Sequence, residues 1–361
     1  MSLADRHKSL NIVSIGGGTG LSTLLCGLKH YVGKEAFLIN GPDTCSIDTL
    51  TAIVTVTDDG GSSGRLREEF QMLPPGDIRN CMVALAEDER LLTKLFQYRF
   101  DSDGDLSGHS FGNLFLTTLT AVTGDFLEAI KVSSEVLAIK GRIFPSTMED
   151  VELVAELEDG KIVKGETKIV EARSRIARLW LSRERCRPLH ETLEAIKQAD
   201  IITIGPGSLY TSIIPNLLVD GIVEALNASS ALKIYICNIM TQPGETTHFS
   251  VEDHVRALFE YRPDLNLDAV IINTASISDQ AREKYFADGA AQVEFESGVC
   301  ADFANGQRTI RSVDGQPIRV ICGDVMFEDE VVRHDPHKLA KLLLETSRPE
   351  CGDSHQLVET R

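Results

Sequence analysis

The chain has 361 residues, 42% hydrophobic and 25% charged, which excludes a disordered or fibrous protein. Its 54 acidic and 36 basic side chains give a formal net charge of −18. That argues against a general nucleic-acid binder, which needs a basic face to neutralise phosphates. No apolar run approaches the ~20 residues of a membrane span. The first eleven residues lack the apolar core of a signal peptide. The eight cysteines include no Cys-x-x-Cys pair, which excludes a zinc ribbon or thioredoxin-type motif. They read as reduced thiols of a cytoplasmic protein.

In chain order, strands alternate with helices, the pattern of a parallel sheet covered on both faces. A strand at 11–15 runs into Gly16-Gly17-Gly18-Thr19-Gly20 and a helix at 21–31. Residues 35–49 read as a polar excursion, 52–57 as a second strand, and 66–138 as mostly helical. Alternation around Glu158-Asp159-Gly160 predicts a β-hairpin insertion over 151–171. Short apolar strands follow at 201–204, 234–238 and 269–273, with helices at 213–226, 251–261 and 279–288. Residues 292–330 read as a strand-rich insertion, 336–345 as a closing helix, and 347–361 as a polar tail. The expectation is one α/β domain over 1–346, a three-layer α/β/α sandwich with a mostly parallel sheet and small antiparallel insertions.

The glycine-rich loops follow strand ends, the edge where open α/β sheets bind ligands. The first loop offers Gly17, Gly18, Thr19 and Gly20 at a helix N-terminus, where backbone N–H groups point at an anion. It matches neither the dinucleotide fingerprint nor the Walker loop, so an NAD(P) oxidoreductase is disfavoured. The second loop holds Thr57, Asp58, Asp59, Gly61, Ser62 and Arg65. Its adjacent carboxylates can hold Mg²⁺ beside a phosphate-bearing substrate, or one can act as a base. A solvated acidic turn with a local Asp–Arg pair is the plain alternative. Arg65 and Arg67 can grip an anion. Asp77 either caps a helix or extends the acidic site. Ser110 reads as a helix N-cap, with Asn113 one turn in as a possible donor and His109 without a nameable partner. The third loop holds Gly205, Gly207, Ser208 and Tyr210, a further anion cradle. Glu245, on a rim loop, reads as an exposed carboxylate. His248, His254, His334 and His337 lack metal-ligand spacing.

Taken together, seven ordered blocks carry a resemblance: 16–22, 55–67, 74–81, 108–114, 205–217, 238–246 and 333–336. They are similar to the signature set of the gluconeogenesis factor (YvcK) family, within the superfamily of the 2-phospho-L-lactate transferase CofD. The resemblance implies a Rossmann-like fold, a homodimer and two alternative activities. The YvcK branch implies a regulatory factor for gluconeogenic growth, cell shape and cell-wall synthesis that binds UDP-N-acetylglucosamine. In that branch a tyrosine and an arginine near the C-terminus contact the ligand, and Tyr285 and Arg333 match them by position. A protein partner is unidentified. The transferase branch implies a Mg²⁺-dependent transfer of a phospholactyl-type group from a guanosine diphosphate donor to a deazaflavin, with Asp58 and Asp59 in the catalytic and metal roles.

Overall fold

The computed structural model describes residues 9–33, 45–87, 91–101, 103–295, 309–312 and 315–346. The first half runs β1 (Leu10–Gly16), α1 (Gly18–Leu28), β2 (Ile47–Val54), α2 (Gly61–Phe70), α3 (Gly76–Leu85), α4 (Leu91–Gln97), α5 (Phe111–Thr123), α6 (Phe126–Val136) and β3 (Arg142–Pro145). A small antiparallel unit follows: β4 (Leu153–Leu157), β5 (Ile162–Lys164), α7 (Glu166–Ala172) and β6 (Ile176–Leu181). The chain then re-enters the main sheet through α8 (His190–Gln198) and β7 (Ile201–Ile204). A π-helical turn, Leu209–Ile213, leads into α9 (Ile214–Leu217) and α10 (Ile222–Ala228). The remainder is β8 (Leu232–Ile236), α11 (Val251–Tyr261), β9 (Ala269–Asn273), α12 (Asp279–Ala287), β10 (Thr309–Arg311), β11 (Pro317–Gly323), β12 (Met326–Glu328), β13 (Val332–His334) and α13 (Pro336–Thr346).

Eight strands form one sheet in the order β10-β11-β9-β8-β7-β1-β2-β3. Every pair is parallel except β10 with β11. The α/β class expected from the alternation is the observed one. The central strands are mostly apolar because helices cover both faces, and all four residues of β7, Thr203 included, are buried. Chain order sets the layout. β1, β2 and β3 run outward to one side, and the chain then returns to place β7 on the other side of β1. The direction of winding reverses between β1 and β7, which is where an open α/β sheet leaves a crevice.

Local departures from the expected elements have identifiable causes. β2 starts at Ile47, earlier than its polar entrance suggests, because Asp48 is exposed while Ile47 is buried. α2 forms where Gly-Ser-Ser-Gly reads as loop. A Cβ at Gly64 would lie 2.8 Å from the carbonyl carbon of Asp59, so that close approach needs glycine. The β4–β5 turn carries Gly160 at φ +81°, and β6 adds a third strand on the other side of β4. β10 and β11, from the 292–330 stretch, extend the main sheet, while β12 and β13 form a separate two-stranded ribbon. Cys45 is disulfide-bonded, so the reading of all eight cysteines as reduced does not hold. Among the described residues no single helix is long and apolar enough to cross a membrane.

α1 packs tightly on α13. A Cβ at Gly27 would lie 2.6 Å from the carbonyl carbon of Pro336 and 3.0 Å from Ala340 Cβ. Gly→Ala in a helix interior gains up to ~1 kcal/mol from propensity, while overpacking a tight contact costs ~1–3 kcal/mol. Gly27→Ala is therefore expected to lower the melting temperature; a thermal melt showing an increase would mean that α13 shifts freely.

Candidate functional site

Ile15 of β1 pairs with Ile204 of β7, so the loops after these strands leave the sheet side by side. They touch through backbone. A Cβ at Gly20 would lie 2.5 Å from Pro206 O and 2.8 Å from Gly207 Cα. Asn216, fully buried, ties the two loops: its Nδ2 donates to Gly16 O at 3.0 Å and to Ser212 O at 2.8 Å. The Gly205–Pro206 peptide is cis.

Above this junction lies a cavity of about 480 Å³. One wall is Gly17, Gly18, Thr19, Gly20, Gly207 and Ser208, all candidates from the sequence, with Arg333 at the rim. The first-turn N–H groups of α1 have no intrahelical acceptor and are suited to an anion. The lining also includes Glu166, Asn238, Gln242, Glu245 and His334; Gly207 N donates to Asn238 Oδ1 at 3.4 Å, and of these five only Glu166 lies outside the blocks singled out from the sequence.

Glu245 is 3% exposed, against its expected solvation, and Ser208 Oγ donates to its Oε2 at 2.6 Å. Burial raises its pKa, with the Ser208 hydrogen bond opposing. Burial also raises that of Glu166 well above the usual range, reinforced by Asp77 and Asp58; Thr211 donates to it. Asp77 joins this cluster. It accepts from Gly18 N–H at the start of α1, and burial, with Asp58 beside it, pushes its pKa up to about 7. Asp58 is shifted up by burial as well, while Gly60 N–H donates to its Oδ1 at 2.9 Å.

Asp58 and Asp59 bond to different partners. Asp59 Oδ1 accepts from Thr167 N at 2.8 Å and Thr167 Oγ1 at 2.7 Å, capping α7 from across the fold. Gly165, at the N-cap position itself, has no side chain to do this. Asp59 thus holds the turn that carries Glu166 into the cavity. Among the described residues no group of three His, Cys, Asp or Glu could hold a metal ion. Asp58 bonds within its own turn, to Gly60, while Asp59 Oδ1 bonds to Thr167.

The other candidates from the second loop lie beside the cavity wall rather than in it. Thr57, buried, pairs its hydroxyl with Thr55 at 3.0 Å. Gly61 is exposed at the start of α2. Ser62 Oγ accepts from Asn113 Nδ2 at 3.1 Å and Ser110 N at 3.4 Å, so its proton goes to His109 Nδ1 at 3.0 Å. Ser110 caps α5, as expected. Arg65 points outward to Ser107 O at 2.6 Å. Arg67 is buried in a pair with Asp150 and is not open to a ligand. Gly205 lies beneath the junction, where a Cβ would meet Ile236 O at 3.1 Å. Tyr210 packs edge-on against Phe249 and Tyr261 and borders a different cavity of about 300 Å³. Tyr285 does not line the main cavity; its hydroxyl accepts from Val332 N at 2.8 Å and props β13, which carries Arg333. Arg333 also borders a neighbouring cavity of about 720 Å³, shared with Thr19 and Thr23.

Asp77 binds its proton more tightly folded than unfolded, so its contribution to stability is greatest below pH ~4 and is lost as pH rises towards 7. Asp77→Asn is expected to melt higher than the parent at pH 8, by on the order of 1–3 kcal/mol, with the difference closing near pH 4. Melts across that range check it; a difference constant with pH would mean that Asp77 does not titrate as described.

A family model for the 2-phospho-L-lactate transferase CofD matches residues 12–313. The gluconeogenesis factor of Bacillus subtilis is 45% identical over 335 residues, covering 92% of this chain and 97% of that protein. A putative gluconeogenesis factor of Thermotoga maritima is 47% identical over 339 residues, covering 94% of this chain and 100% of that protein. A crystal structure of protein BH3568 from Bacillus halodurans superposes with a TM-score of 0.82 at 42% identity, covering 93% of this chain and 100% of that one. With the glycine-loop junction intact and the similarity running nearly end to end, the chain belongs to the gluconeogenesis factor family within the CofD superfamily.

Proposed function

We propose that this protein is a regulatory factor that binds a nucleotide sugar, UDP-N-acetylglucosamine, in the 480 Å³ cavity, and links that ligand to gluconeogenic growth, cell shape and cell-wall synthesis. The observation that carries this reading is the junction of two glycine loops under one cavity with Arg333 at its rim. Backbone N–H groups and a guanidinium suit a diphosphate, and the polar side chains of the lining suit the group attached to it. The names of the relatives support the gluconeogenic part. A cytoplasmic location and a homodimer belong to the same proposal and rest on the family resemblance.

The alternative is a transferase of a phosphorus-linked group using Asp58, Asp59 and Mg²⁺. The buried carboxylates favour it, since raised pKa values cluster at catalytic sites. The bonds from Thr167 to Asp59 Oδ1 leave fewer free oxygens on that carboxylate for a metal ion.

Calorimetric titration with UDP-N-acetylglucosamine is expected to give saturable binding that Arg333→Ala weakens about tenfold or more, the loss of one charge-assisted contact. Tyr285→Ala is expected to act more weakly, by loosening β13. Silence of the folded parent at millimolar ligand would overturn the binding reading. Mg²⁺-dependent turnover with a guanosine diphosphate donor, lost in Asp58→Asn, would establish the alternative.

A further inference from the structure

The β12–β13 ribbon places an aromatic ring beside Arg333. Phe327 and Arg333 pair directly across the two strands. Opposite residues of an antiparallel pair project from the same face, with Cβ atoms about 4.5–5.5 Å apart. Both residues line the 720 Å³ cavity. Phe327 is 45% exposed, so its ring is not spent on the core. Single exposed apolar residues are ordinary on a protein surface. This one borders a cavity and has a guanidinium as its cross-strand neighbour.

The two cavities differ in what they offer a nucleotide. Among the described residues no Phe, Tyr or Trp lines the 480 Å³ cavity, and Phe327 is the one such residue lining the 720 Å³ cavity. The amide side chains of Asn80 and Gln97 lie on that same lining, groups able to meet the donors and acceptors of a base edge. Thr19, in the first turn of α1, and Arg333 border both cavities and are exposed. The cavities therefore open to solvent side by side, at the helix N-terminus suited to phosphate.

We propose that the 720 Å³ cavity is the nucleoside subsite: the base stacks on Phe327, Arg333 takes a phosphate oxygen at the junction, and the glycosyl group occupies the 480 Å³ cavity. This rests on the nucleotide-sugar reading above. Phe327 is then the aromatic contact in place of Tyr285, which lines neither cavity and whose hydroxyl accepts from Val332 N. Every base has a π-face, so the ring supplies affinity for a nucleoside and the amide groups supply the choice among bases.

The test is calorimetric titration of the parent, Phe327→Ala and Phe327→Trp with UDP-N-acetylglucosamine, UDP and inorganic pyrophosphate. The parent is expected to bind UDP more tightly than pyrophosphate. Phe327→Ala should weaken UDP and the sugar nucleotide about tenfold each, the scale of one lost base–aromatic stack, and leave pyrophosphate within about twofold. Phe327→Trp should keep nucleotide affinity within about threefold, and UDP, but not pyrophosphate, should quench the added indole fluorescence. The protein's one tryptophan, Trp180 on β6, lines neither cavity, so the parent gives the baseline. Unchanged UDP binding in Phe327→Ala, an equal loss for pyrophosphate, or a parent that binds UDP no more tightly than pyrophosphate overturns this inference alone. Silence of the folded parent towards UDP-N-acetylglucosamine overturns it together with the reading it rests on.

Discussion

The backbone contact between the loops after β1 and β7 is the constraint on which the rest depends. Parallel pairing places both strand ends at one level, and the reversal of winding makes them neighbours. Side chains would hold the loops apart. Gly20 against Pro206 and Gly207 lets them meet, and Asn216 bolts them together. The result is a floor of backbone N–H groups under a cavity, an arrangement suited to an anion by geometry and helix dipole rather than by net charge. In a chain of formal charge −18, a phosphate site depends on local groups such as these and Arg333 rather than on net charge.

The acids around that floor are costly, and their placement is specific. Asp77 occupies the Gly18 N–H, Asp58 is turned towards Gly60 and Ser63, and Glu166 and Glu245 face the cavity. Burial raises all four carboxyls, and neighbouring carboxylates add to the shift for Asp58, Asp77 and Glu166. Such groups belong to a site more readily than to a scaffold, where apolar residues would be more stable. Asp59 is the scaffold member of the set. It caps α7 from outside and so connects the second glycine loop to the antiparallel unit that delivers Glu166.

Much of the fold was legible because periodicity survives burial. Strands β7, β8 and β9 are short apolar runs between helical stretches, and the first and third loops announce themselves as glycine clusters at strand ends. What was not legible depends on pairing across the sequence. Asp59 and Thr167 are 108 residues apart, and Asn216 and Gly16 200 apart, so no local pattern reports either contact. Glu245 looked solvated because polar loop neighbours surround it, yet the partner that buries it is Ser208. Tyr285 was matched by position alone, and position placed it behind β13 rather than in the cavity.

The measurement that most directly tests the account is amide hydrogen exchange of the full chain with and without UDP-N-acetylglucosamine. Ligand held in the cavity should slow exchange together in 17–24, 206–213 and 331–334, segments that only the fold brings to one place. Protection confined to 58–65, or to residues that border only the 720 Å³ cavity, would contradict the glycine-loop junction as the binding floor.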